Sequence, residues 1–172
     1  MLERFLRVAQ ALDSVGKWSG RLVAWLVIPM MGGLVFEVFS RRFFGAPTVW
    51  AYDITYMLYG SMFTLGAAYT LLQKGHIRTD LFYNRFPPRL QGVIDGVLYL
   101  LFFFPGVAFF LWAGWDEAWH SWQIREKSDA SPWRPPLYPF KMALPVALGL
   151  LLIQGVSEFL KSLYAIVRGR WP

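Results

Sequence analysis

A chain of 172 residues that is 56% hydrophobic and 19% aromatic carries more apolar side chain than soluble domains, which run about 45–50% apolar. It has no cysteine, which excludes disulfides, thiolate metal sites, iron–sulfur clusters and cysteine nucleophiles. A net charge of +6 suits nucleic acid or anionic lipid, and the placement of the charges along the chain favours lipid and topology over nucleic acid.

The opening segment carries Arg4, Arg7, Lys17 and Arg21. The first apolar run, 22–39, has no small-x-small cleavage site after it and reads as a retained span rather than a removed signal. Arg41 and Arg42 end it, one helical turn beyond Glu37. A short loop, 45–48, leads into the second run, 49–72, with Thr48 as its expected N-cap and Trp50 and Asp53 at its start. Gly60, Ser61, Thr64, Gly66, Ala67 and Ala68 keep this run slim, which lets helices approach closely in lipid.

A polar connection containing Gly75, His76, Arg78 and Asp80 follows, then a short amphipathic piece, 81–86, predicted to lie in the membrane interface. The third run, 93–115, is predicted to continue as helix to Trp122, which puts Trp115, Trp119 and Trp122 on one stripe. Four prolines in 126–139 predict a stiff, extended strap, and the fourth run is 142–167. A span needs about 20 residues, and every backbone amide inside lipid must be bonded within its own segment. The expected fold is therefore an all-α membrane protein: one domain, 1–172, of four transmembrane helices.

Eleven Lys and Arg residues fall on the side shared by the N-terminus, the second connection and the C-terminus, against six on the other. The positive-inside rule then places both termini in the cytoplasm of a multi-pass protein of the bacterial inner membrane.

Charges within spans are the first candidates for chemistry. Glu37 at i, i+4 from Arg41 reads as an ion pair, and Asp53 as an acid favouring a helix N-terminus; the sharper alternative makes the two a proton or ion site. Asp95 and Glu158 are the other two acids in apolar runs. His76 and His120 fall at opposite ends of a span, too far apart to hold one haem. No nucleophile–base pair, phosphate loop or metal-spaced cluster is present, so no catalytic, cofactor or metal residue is assigned and no enzyme is expected.

Several of these segments together are similar to a known family. Arg41-Arg42 at the end of the first span, Trp50 three residues before Asp53, the run Leu65-Gly66-Ala67-Ala68, and above all Gly75-His76-Ile77-Arg78-Thr79-Asp80 resemble the small membrane subunit (DctQ-like) of tripartite ATP-independent periplasmic, or TRAP, transporters. The proline-rich segment through Trp133, Arg134 and Lys141 resembles the mannitol/chloroaromatic-type branch. Asp53 stands where many members carry Glu, and Thr79 where Val is common.

The resemblance implies a non-catalytic scaffold for a large permease subunit. That large subunit would hold the substrate and sodium sites, and a periplasmic solute-binding protein would deliver an organic, carboxylate-bearing solute. It also implies structural or partner-contact roles for Glu37, Arg41, Arg42, Trp50, Asp53, Gly66, Gly75, His76, Arg78, Asp80, Trp133, Arg134 and Lys141. The rival reading is a self-sufficient small proton-coupled exporter using Glu37. It is weakened because Glu37 lies near a span's end and the loop 126–139 is long.

Overall fold

The computed structural model describes residues 2–75, 83 and 85–172. Six α-helices account for nearly all of it: α1 (Leu2–Ala24), α2 (Val27–Phe44), α3 (Ala51–Leu72), α4 (Pro88–Leu98), α5 (Phe104–Ile124) and α6 (Tyr138–Arg168). A five-residue π-turn, Tyr99–Phe103, joins α4 to α5, so that Pro88–Ile124 is one continuous rod. The only β-type pairing among the described residues is an isolated bridge between Lys127 and Pro136.

Among the described residues, three helical stretches are long and apolar enough to cross a membrane: Phe5–Phe44, Pro88–Ile124 and Tyr138–Arg168. This corrects the expectation of four. The second expected span forms a 22-residue helix, α3, but Asp53, Tyr52, Tyr56, Tyr59, Tyr69 and the small polar residues dilute its apolar character. The first expected span is also displaced. The chain turns at Trp25 and Leu26, so the apolar rod α2 begins at Val27, and the preceding 23 residues form a separate helix. The third begins earlier than expected, at Pro88, because proline at the first helical position leaves no backbone donor unsatisfied.

The helices alternate in direction. Tyr56 and Gly60 near the start of α3 meet Phe140 near the start of α6, so these two run parallel. The α4–α5 rod runs antiparallel to α6, with Gly92 against Ser162, Gly96 against Phe159, Gly155 against Phe103 and Gly114 against Leu144. Glycine is required at the first of these contacts. A Cβ on Gly92 would lie 2.8 Å from the Ser162 backbone oxygen, which cannot move aside as a side-chain tip can. Such small-residue contacts replace the hydrophobic driving force that lipid removes.

At about 1.5 Å per residue the 37-residue rod spans roughly 55 Å and α6 roughly 46 Å, well beyond the ~30 Å hydrocarbon layer. The connection from α5 to α6 joins the ends of these two rods. It is a folded-back hairpin and not the extended strap expected from its prolines. Ser128 N–H donates to Pro135 O at 2.8 Å and Leu137 N–H to Glu126 O at 2.9 Å. Arg134, at φ 48, makes the turn. Pro139 lies within the first turn of α6, where its missing donor does no harm.

Candidate functional site

Polar side chains gather at both ends of the bundle. At the hairpin end, Glu37 on α2 accepts from Arg41 Nε at 3.0 Å and from Thr48 N–H at 2.8 Å, and the Thr48 hydroxyl donates to it as well. The i, i+4 pair with Arg41 is thus present. Thr48 spends its side chain on Glu37 and does not cap α3; Trp50 occupies the cap position without a side-chain bond. Trp50 stacks on Phe36, ring centroids 5.8 Å apart, closing the α2–α3 corner. Arg42 is exposed.

Asp53, in the first turn of α3, is buried to 1% and accepts hydrogen bonds from the hydroxyls of Ser128 and Ser131, both in the hairpin. Its role is wider than the helix-terminus preference expected for it: it fastens a loop more than 70 residues away in sequence. A third clamp is Lys141, whose ammonium donates to Glu117 at 2.7 Å and Glu126 at 2.6 Å, joining α5, the hairpin and α6. The Lys141 ammonium beside Glu126 holds that carboxyl below the usual carboxylate range. Arg134 pairs with Asp129 within the exposed hairpin, and Trp133 is 45% exposed beside it.

At the opposite end lies a network of which the sequence reading identified only Glu158. Asp13 on α1 accepts from Gln154 Nε2 at 3.0 Å, Ser157 Oγ at 2.6 Å and Lys161 Nζ at 2.9 Å, all on α6. Lys161 also reaches Glu158 at 2.6 Å. Gln154, Ser157 and Glu158 are buried. Ala9, Asp13, Gly16 and Gly20 follow one another at spacings of four, three and four, the repeat of one helix face. That stripe was the available signal. With two carboxylates around one ammonium, Lys161 already fills the position a bound cation would take, and the network ties α1 to the bundle.

The remaining candidates are scattered. Gly66 faces open space, with no atom within 4 Å of a Cβ built on it. Gly75 donates to Thr70 O at 2.9 Å in the turn ending α3. His76, Arg78 and Asp80, and with them half of the expected amphipathic piece, lie outside the described residues. Trp115 and Trp119 stack nearly parallel, and an apolar groove of about 480 Å³ opens between Trp112, Trp115 and Pro145 without converging polar groups. No group of three or more His, Cys, Asp or Glu side chains able to hold a metal occurs among the described residues.

Among the described residues, side-chain clamps hold the two ends of the bundle. Residues 30–164 match the family described as tripartite ATP-independent periplasmic transporters, DctQ component. The chain belongs to the DctQ family. No curated protein and no solved structure matches it. Membership makes it a membrane-embedded transporter component. Both clamped ends lie within, or reach into, the matched DctQ segment: Glu37, Asp53, Lys141 and Lys161 are inside it, and Asp13 precedes it.

Proposed function

We propose that this chain is the small, non-catalytic scaffold subunit of a TRAP transporter. It holds a large permease subunit in place while that subunit, fed by a periplasmic binding protein, carries an organic carboxylate solute inward with sodium. On this reading 1–172 is a single domain of the bacterial inner membrane with both termini cytoplasmic. Helix α3 carries the chain back between α2 and the parallel α6, and the proline-rich hairpin follows the mannitol/chloroaromatic-type pattern. The hairpin, with Trp133, Arg134 and the nearby Arg41 and Arg42, then faces the periplasm and the binding protein.

One observation beyond family membership carries the scaffold reading: α2 has no buried residue at all, and Gly66 on the neighbouring α3 is bare. A helix with no buried residue that touches its own bundle chiefly at the α3 corner, next to a notch with nothing in it, supports a partner packed from outside. The carboxylate of Glu37 is taken up by Thr48 and Arg41, which supports loop anchoring over ion coupling.

The test is affinity purification of the tagged chain from its native membrane in mild detergent. A single, much larger hydrophobic protein should co-elute. Gly66→Leu should abolish that co-elution while leaving the melting temperature of the isolated subunit unchanged. Elution alone, or as a homodimer that exports cations in liposomes, would overturn the reading.

A further inference from the structure

Helix α1 has three faces. Ala9, Asp13, Gly16 and Gly20 turn to the bundle, where Gly16 meets Gln154 and Gly20 meets Tyr69. At about 100° per residue, Val8, Val15, Trp18 and Leu22 form one flank. They are exposed by 50, 43, 65 and 53%. Arg7, Gln10, Ser14, Lys17 and Arg21 form the other flank and are also exposed.

An apolar flank beside a basic flank on one helix needs surroundings that change from hydrocarbon to water across a single helix diameter, and a bilayer boundary provides them. Were α1 to continue across the membrane in line with α2, three cations would enter hydrocarbon. At Trp25 and Leu26 the α-helical bonding gives way to i→i−3 bonds, the one place where α1 can leave the line of α2. The exposed charge around α1 is predominantly positive: against Glu3 stand Arg7, Lys17 and Arg21, and Lys74, Arg89, Arg168 and Arg170, at the same end of the bundle, are exposed too. A surface of that sign is complementary to anionic headgroups.

We infer that α1 lies along the membrane surface as a lipid-binding anchor, with Val8, Val15, Trp18 and Leu22 in the acyl boundary and Arg7, Lys17 and Arg21 on anionic phospholipid headgroups. The Asp13–Lys161 network sets its roll angle, so the apolar flank is aimed at lipid before lipid is met. The occupant of this surface is a bilayer and not the large subunit, and the inference stands whether or not the scaffold reading does.

Because the chain has no cysteine, single-cysteine variants of the full chain report cleanly. In nanodiscs, Val8→Cys, Val15→Cys and Leu22→Cys should react with a water-soluble maleimide about tenfold more slowly than Gln10→Cys and Ser14→Cys, as burial in the acyl boundary demands. A fluorophore on Val15→Cys should be quenched by brominated lipid. Equal labelling rates overturn the inference, and so does protection without lipid quenching, since protein would then cover the flank. Combining Arg7→Gln, Lys17→Gln and Arg21→Gln in one chain should lower the enrichment of phosphatidylglycerol over phosphatidylcholine by about fivefold per charge removed. Unchanged enrichment overturns the headgroup assignment. Those three side chains are exposed and outside the Asp13 network, so an unchanged melting temperature checks that the variant is folded.

Discussion

Asp13 and Lys161 form the interaction most sensitive to a single substitution. Lys161→Met would leave the carboxylates of Asp13 and Glu158 without their shared cation in a mostly dry site, and should cost about 3 kcal/mol. Adding Asp13→Asn and Glu158→Gln should recover most of that loss in thermal unfolding of the purified chain. Asp53→Ala removes the acceptor for two hairpin hydroxyls and should cost about 2 kcal/mol. Limited proteolysis should then cut the hairpin near Arg125 or Arg134.

Glu126 gives the hairpin a pH response. Its carboxyl is held below its ordinary value by Lys141, so the folded state binds a proton less readily than the unfolded state. The clamp's contribution is complete above the ordinary carboxylate range and disappears as pH falls through the depressed value. Acidification should therefore raise protease sensitivity of the hairpin, and Glu126→Gln should flatten the profile. Glu37 with Arg41 was readable from spacing alone, because i, i+4 geometry is local. The partners of Asp53 and Asp13 were not, since each lies on an element whose position is set by packing.

Among the elements, α4 and α6 come together where side chains are absent. Gly92→Ala should cost about 1–3 kcal/mol, measured by thermal unfolding, because the Cβ meets backbone. By contrast, Gly66→Ala on α3 meets nothing and should stabilise the isolated subunit by about 0.5–1 kcal/mol through helix propensity. The apolar runs that became α2, α5 and α6 were legible because roughly 20 unbroken apolar residues admit one solution in lipid. Helix α1 was missed since its apolar, basic and small residues interleave, and an average over them looks unremarkable until sorted by face. The hairpin was misread for a related reason: proline spacing reports local stiffness, while direction comes from Ser128 and Ser131 reaching Asp53.

For the whole molecule, the alternation of helices puts both termini and the 73–75 turn at one end, and the 45–50 corner with the hairpin at the other. If the Lys and Arg bias sets orientation, a reporter fused to either terminus should be active only in the cytoplasm, and Ser131→Cys should react with an impermeant thiol reagent from outside. Signal from opposite sides for the two termini would contradict the topology. The fold class and the family were readable from hydropathy and a few short motifs. The division of labour between faces was not, because it depends on which helices find partners within the chain and which are left without.

The π-turn at Tyr99–Phe103 separates the long rod into two lengths whose angular phases are set independently. A π-turn is one residue wider than an α-turn, so it absorbs the offset that would otherwise pass along the helix. Below it, Gly92 and Gly96 keep their phase against α6; above it, Gly114 and the stacked Trp115 and Trp119 keep theirs. Phe103 sits at the joint, its ring seated in the gap left by Gly155. Removing a single residue there would turn the upper length by about 100° relative to the lower. The tryptophans would swing off their side of the molecule while every glycine contact below stayed in register. Sequence drift at the two ends of the rod is thereby uncoupled: the clamp that carries the hairpin and the seam that carries the bundle can each change without re-indexing the other.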